Sequence, residues 1–175
     1  MAQETGENIS VNEIDFYIDT EYSNINSFDC NFDVFNIYLK QRIPKDKATF
    51  HYIINSEDDS LIAYFSLLAS CVLMGEFDSH EFIPAIELKM FAIDKHYQKL
   101  DLSSKLVAAI IDIVEEYSSE YVGAELLILY SVPAEKVVDI YETSGFKKLP
   151  SEYFMYKNYF SGGCIAMYKK LLNNA

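Results

Sequence analysis

The chain has 175 residues, no tryptophan, a single arginine at Arg42, and only three histidines and three cysteines. Each shortage excludes something. Cys30, Cys71 and Cys164 are odd in number and far apart, so they outline neither a disulfide framework nor a metal ligand set; reduced thiols in a cytoplasm are expected. His51, His80 and His96 are scattered, and no metal site is read from them. Basic residues number 14 against 27 acidic ones, a net charge of -13. A protein whose main task is to grip a phosphate backbone carries clustered Lys and Arg. General nucleic-acid binding is therefore disfavoured, and so is adhesion to an anionic membrane. Long apolar runs are missing as well: the longest, Leu61 to Met74, is interrupted by Ser66 and Ser70 and is too short for a bilayer. The first residues, Met-Ala-Gln-Glu-Thr-Gly-Glu, hold neither a basic nor an apolar leader segment, and no secretion signal is expected.

What is present suits one packed domain. Half of the residues are hydrophobic and 23% are charged, enough to bury a core. Residues 1–10 are polar and expected to be loose; residues 11–175 are expected to form a single domain. Phe32, Phe35, Tyr38 and Leu39 fall three and four apart, predicting a short amphipathic helix around Asn31 to Gln41. Phe50 to Ile54 and Leu61 to Met74 read as strands joined by the turn cluster Asn-Ser-Glu-Asp-Asp-Ser, an antiparallel hairpin. Ile83 to Ile93, opening at Pro84, is a further strand, and residues 95–101 a polar loop. Apolar residues at 102, 106, 107, 110, 113, 114 and 117 give a helical period to Leu102–Tyr117. Ala124 to Tyr130 reads as a buried strand, Pro133 to Ser144 as a helix stopped by Gly145, and Phe146 to Leu149 and Cys164 to Lys169 as the last strands. Strand, helix, strand implies a crossover and a locally parallel pair. The fold class is α/β (α+β) around one mixed sheet.

Three features of the second half belong together: the strand Glu87-Leu88-Lys89-Met90-Phe91-Ala92-Ile93, the polar loop Lys95 to Asp101 that opens the long helix, and Tyr141-Glu142-Thr143-Ser144-Gly145-Phe146. At these residues the chain resembles the GNAT superfamily of acetyl-CoA-dependent N-acetyltransferases. The resemblance spans roughly residues 25–150. It implies a mostly antiparallel sheet with flanking helices, a splayed parallel strand pair that seats the pantetheine arm, and a loop and helix N-terminus that hold the diphosphate. Unpaired amides and the positive helix end favour an anion there. Phe28-Asp29-Cys30, then Phe35 and Tyr38-Leu39-Lys40, with Ala63-Tyr64-Phe65-Ser66-Leu67 further on, are similar to the acetyltransferases that serve as toxins of toxin–antitoxin pairs. Asn31 stands where those relatives usually carry glycine.

The superfamily's diphosphate loop, (Arg/Gln)-x-x-Gly-x-(Gly/Ala), falls on His96, Lys99 and Asp101, so both glycines are absent. Asp101 is expected at the helix N-cap, where its carboxylate would occupy donors meant for phosphate. Lys95, Lys99 and Lys105 make the loop locally basic and are expected to offset that loss. The resemblance thus implies acetyl-CoA as co-substrate and no metal, bound by Phe91, Ala92, Ile93, Gln98, Lys99, Leu100, Asp101, Leu102, Ser103 and Ser104. It assigns Tyr141 as the acid that protonates the departing thiolate; packing between helix and sheet is the alternative use of that ring. Glu87 is either the base that takes the amine proton or a solvent-facing strand residue. Cys71 and Cys164 are expected in the core. The aromatic tract Tyr153-Phe154-Met155-Tyr156 with Tyr159-Phe160 is either an edge strand paired to the final strand through Ser161-Gly162-Gly163, or a pocket wall or homodimer interface. The expected activity is direct acetyl transfer to a primary amine of a small molecule or protein in the cytoplasm. Two alternatives stand beside it: an inactive protein of this fold serving as a binding module, and an acetyltransferase acting on aminoacyl-tRNA.

Overall fold

The structure is a computed structural model that describes residues 14–41, 47–74, 81–151, 153–155 and 163–171. In chain order these form strand β1 (Phe16–Asp19), helix α1 (Asp33–Gln41), β2 (Thr49–Asn55), β3 (Leu61–Met74), β4 (Glu81–Ile93), helix α2 (Ser103–Tyr117), β5 (Leu126–Ser131), helix α3 (Glu135–Thr143), β6 (Lys147–Lys148), β7 (Tyr153–Met155) and β8 (Ile165–Lys170). The strands make one mixed sheet in the order β1-β2-β3-β4-β5-β8-β6. Every described pairing is antiparallel except β4 with β5. The expected mixed, mostly antiparallel α/β fold is borne out.

The elements follow from their patterns. Helix α2 buries Leu106, Val107, Ile110, Ile111 and Val114, one stripe at helical spacing, against the sheet. Burying a side chain such as Ile110 contributes ~1.5–3 kcal/mol. The helix begins at Ser103 and runs into a wider turn, Ser118–Val122, that closes at Gly123 with φ +65°. Helix α3 ends ahead of Gly145, whose φ of +91° only glycine adopts without strain. A Cβ there would also lie 2.9 Å from the Lys169 ammonium.

The two faces of the sheet carry different helices. Ile53, Phe65, Leu67, Ile86, Leu88, Leu127, Leu129 and Met167 form one core with α2 and α3. Tyr52, Ile54, Tyr64, Met90 and Ala92 form a second, on the opposite face, with Phe28, Cys30, Tyr38 and Leu39 at α1.

The structure corrects several expectations. Strand β4 starts at Glu81, so Pro84 lies inside it, opposite Cys71 of β3. The short edge strand β1, paired to β2, has no counterpart in the sequence reading. β7 pairs with Val72–Met74 of β3 rather than with the final strand, continuing the edge that β2 leaves at Leu67. Tyr156, Tyr159, Phe160, Ser161 and Gly162 lie outside the described residues, as do residues 1–10, His80 and Arg42.

Candidate active site

The site begins where two strands part. β4 and β5 are paired from Ala85–Leu126 to Leu88–Leu129, and the pairing stops there although β4 runs on to Ile93 and β5 to Ser131. The cause is a bulge. Ser66 of β3 faces Met90, whereas Leu67 faces Leu88, so Lys89 is an extra residue on β4. A bulge bends its strand and resets the alternation of faces. Ile86 and Leu88 accordingly point to the α2 side, while Met90 and Ala92 point to the α1 side. Beyond Leu88 the strands splay. The expected splayed pair is present.

The gap is a cleft of about 340 Å³ whose lining includes Glu87, Lys89, Phe91, Tyr130, Ser131, Val137, Tyr141 and Cys164, with Phe32, Asp33, Val34 and Phe35 at its α1 end. That volume suits a ligand site. It opens toward both faces of the sheet. Tyr141 comes from α3 on one side, with its ring edge-on to Phe146 at 5.5 Å between centroids. Burial raises the phenol well above its ordinary pKa, so it is protonated at any physiological pH. No hydrogen bond to its hydroxyl is found among the described residues. Glu87 comes from the opposite side. It is buried at 5% exposure, which removes the solvent-facing alternative. Tyr130 stands by it, and burial followed by the Glu87 charge pushes that phenol up to about 12. Cys164 also lines the cleft, half-buried, and is not a core residue.

The loop after β4 departs from expectation at Asp101. The N-cap of α2 is Leu102, and Asp101 precedes it in the left-handed region at φ +52°. Asp tolerates that region better than most side chains, so the turn forms here without glycine. No side chain caps α2. The first turn of any α-helix leaves its amides without intrahelical partners, so those of Ser103, Ser104 and Lys105 remain for an anion. Two of the three loop lysines are engaged elsewhere: Lys95 pairs with Asp29 at 3.0 Å, and Lys105 donates to the Ile14 carbonyl at 2.8 Å. Lys99 is exposed, with no partner among the described residues.

A hydrogen-bonded corner fixes this loop against α1. Buried Asp94 accepts the Asp29 amide at 2.9 Å and both the amide and Nδ1 of His96, at 3.0 and 2.7 Å. Gln98 Nε2 donates to the carbonyls of Cys30 and Ile93, each at 2.9 Å. The Asp29 carboxylate accepts from the Asn31 amide, Lys95 and Asn36, which hold it well below the usual carboxylate range. Asn31 itself is at φ +65°, a left-handed turn that Asn tolerates better than most side chains.

Of the residues nominated from sequence, Glu87, Phe91 and Tyr141 converge on the cleft. Ala92 is buried beside it, Ile93 accepts from Gln98, and Gln98 to Ser104 form the loop and helix start below it. Sequence reasoning missed Phe32, Val34, Lys89, Tyr130 and Ser131. None of these left a signal in the sequence: Phe32 read as part of the helix's apolar stripe, whereas it is 65% exposed, and Val34 is 53% exposed. Among the described residues no cluster of His, Cys, Asp or Glu is arranged to hold a metal, and no helix is long and apolar enough to cross a membrane.

No known protein family and no curated protein matches the chain. Solved structures do. The toxin AtaT, as a tyrosine-to-phenylalanine mutant bound to the C-terminus of the antitoxin AtaR, has a TM-score of 0.66 at 19% identity over 89% of this chain and 93% of that one. AtaTR bound with acetyl-CoA gives 0.67 at 21% identity over 89% and 94%. AtaT complexed with acetyl-methionyl-tRNA gives 0.61 at 22% identity over 81% and 94%. The likeness establishes a shared fold, and the mixed α/β sheet with flanking helices expected from the sequence is borne out by it.

Proposed function

We propose that the chain is an N-acetyltransferase that moves an acetyl group from acetyl-CoA to a primary amine by direct transfer. The observation that carries this is the cleft between the splayed β4 and β5, with a protonated phenol on one face of the sheet and a buried carboxylate on the other. The chain's own groups suit the co-substrate. Backbone from Met90 to Ala92 has no β5 partner and is left to bond the pantetheine amides, while the free amides at Ser103 to Lys105 face the diphosphate. Lys99 adds a cation at the loop.

The two faces then divide the work. Glu87 takes the proton from an ammonium entering on the α1 side, where Asp33 also favours a cation. Amides at the β4 bulge stabilise charge on the carbonyl oxygen. Tyr141 donates to the sulfur as it acquires charge, a role that requires the phenol to stay protonated, as burial ensures. Calorimetric titration with acetyl-CoA tests the reading, with saturable heat expected; no heat at millimolar cofactor would instead favour a binding module.

The favoured acceptor is an amine of a small molecule or protein, because a net charge of -13 repels a polyanion at long range. Aminoacyl-tRNA is the second reading. It is supported by AtaT having been captured with acetyl-methionyl-tRNA and by the exposed apolar Phe32, Val34 and Val132 beside the cleft. Labelled acetyl-CoA offered with aminoacyl-tRNA and with a panel of polyamines, aminoglycosides and lysine peptides separates the two. A protein partner such as the antitoxin seen with AtaT belongs with the second reading. The reaction is expected in a cytoplasm, where thiols such as Cys164 stay reduced.

A further inference from the structure

Asp94 follows the last residue of β4, and its amide donates to the Ile62 carbonyl of β3 at 2.8 Å, which fixes it to the sheet. Its side chain is buried, and its two oxygens serve two different parts of the site. Oδ2 accepts the Asp29 amide at 2.9 Å. Oδ1 accepts the amide and Nδ1 of His96, at 3.0 and 2.7 Å. The Asp94 carbonyl takes the amides of Tyr97 and Gln98, at 2.9 and 3.2 Å, and so begins the turn that leads to α2. A buried carboxylate is costly unless its lone pairs are filled, and these are filled from two segments far apart in the chain.

One of those segments carries the α1 end of the cleft. The Asp29 carboxylate accepts the Asn31 amide and Asn36 Nδ2, each at 2.9 Å, and Asn36 Oδ1 accepts the Cys30 amide at 3.0 Å. These bonds set the left-handed turn at Asn31, after which Phe32, Asp33, Val34 and Phe35 line the cleft. Packing holds that end of the wall weakly: Phe32 and Val34 are exposed, and the buried anchors of α1, Tyr38 and Leu39, come a turn later. The other segment leads to the amides of Ser103 to Lys105, read above as the diphosphate site. Gln98 is a second tie between the same two parts, through the carbonyls of Cys30 and Ile93.

We propose that Asp94 is a positioning residue that sets the distance between the acceptor amine and the acetyl group, an inference that rests on the acetyltransferase reading of the cleft. It acts through Asp29 on the acceptor's wall and through His96 on the cofactor loop. Each substrate keeps its own contacts when Asp94 is lost; their relative placement changes. A misplacement of ~1 Å costs up to ~10²-fold in rate, so the residue governs the amine-dependent step and not the affinity for acetyl-CoA.

Asp94→Asn has nearly the same shape but replaces one accepting oxygen by a donor, so one of the two parts is released. The acceptor is whichever of aminoacyl-tRNA, polyamines, aminoglycosides and lysine peptides takes label from acetyl-CoA with the unaltered chain. With it, kcat/KM for the amine should fall ~10–100-fold, while calorimetry gives a Kd for acetyl-CoA within ~3-fold and an unchanged stoichiometry. A merely structural role would lower the stoichiometry and turnover together. Exposed Gln98→Met keeps the length, removes both donors, and should lower amine kcat/KM ~3–10-fold with the same Kd; it decides alone if Asp94→Asn does not fold. Unchanged amine kinetics, or a loss of turnover matched by loss of acetyl-CoA binding, overturns the proposal. If the unaltered chain binds no acetyl-CoA or labels no amine, the acetyltransferase reading is overturned, and this inference with it.

Discussion

From Ala85 to Leu88, β4 has a strand on each edge, β3 and β5; from Met90 to Ile93 it has β3 alone. The two stretches are alike in composition, Ala-Ile-Glu-Leu and Met-Phe-Ala-Ile, and lie on one continuous strand. In the first, backbone groups are spent on the sheet and Ile86 and Leu88 on the core. In the second, one backbone edge is left for a ligand. Affinity for a strand and affinity for a cofactor arm are the same hydrogen-bonding capacity put to two uses. What assigns each half is the extra residue between them.

The comparison can be broken from either end. The largest effect is expected at the open half: Tyr141→Phe keeps the ring and removes the proton, so turnover should fall ~10²–10⁴-fold in a steady-state assay, with acetyl-CoA affinity by calorimetry nearly unchanged. The closed half should answer in stability instead. Leu127, fully buried beneath it, replaced by Ala should cost ~2–5 kcal/mol in urea unfolding and leave the chemistry of the surviving folded protein intact. Glu87→Gln lies at the border. It should lower turnover ~10–100-fold and bring the Tyr130 phenol down from about 12, because the carboxylate is the second contributor to that shift. A phenol titration that does not move separates the two residues.

The smallest effect concerns the corner that supports the open half. Asp29 is held below its ordinary value of 3.8 by the Asn31 amide, Lys95 and Asn36. Its contribution to stability is therefore complete above that value and is lost as pH falls below it toward the depressed folded value. Asp29→Asn should flatten the acid limb of stability, measured by denaturant midpoints between about pH 6 and about pH 3. Equal slopes in the two proteins would remove Asp29 from the account.

Much of the fold could be read from residue periods. The hairpin of β2 and β3 was legible because the apolar runs Phe50–Ile54 and Leu61–Met74 are set apart by a turn-forming cluster, and α2 because a 3.6 period over Leu102–Tyr117 is sustained for several repeats. Tyr141 and Glu87 were legible from motif and strand position. Other features were not, for definite reasons. Phe16–Asp19 is too short to show a period and is a strand only because β2 offers it an edge. β7 chooses β3 over β8 because β2 stops halfway along β3, a vacancy created by strands distant in sequence. The start of α2 was misjudged by one residue because Asp101 reads as a cap and serves as a left-handed turn. Tyr130 lies in a strand whose apolar run gave no hint that its last residues part from β4 while staying paired to β8.

The bulge at Lys89 has a consequence in the arithmetic of parity. Along a strand, odd and even positions go to opposite sides, and one added residue exchanges the two from that point on. Removing Lys89 would make Leu88 and Met90 adjacent, opposite the adjacent Leu67 and Ser66, and the ladder with β3 would run on without a bulge. Met90 and Ala92 would stay toward the α1 side and Phe91 and Ile93 toward the α2 side, where they are now. The extra residue thus serves the departure of β4 from β5 and not the facing of the side chains beyond it.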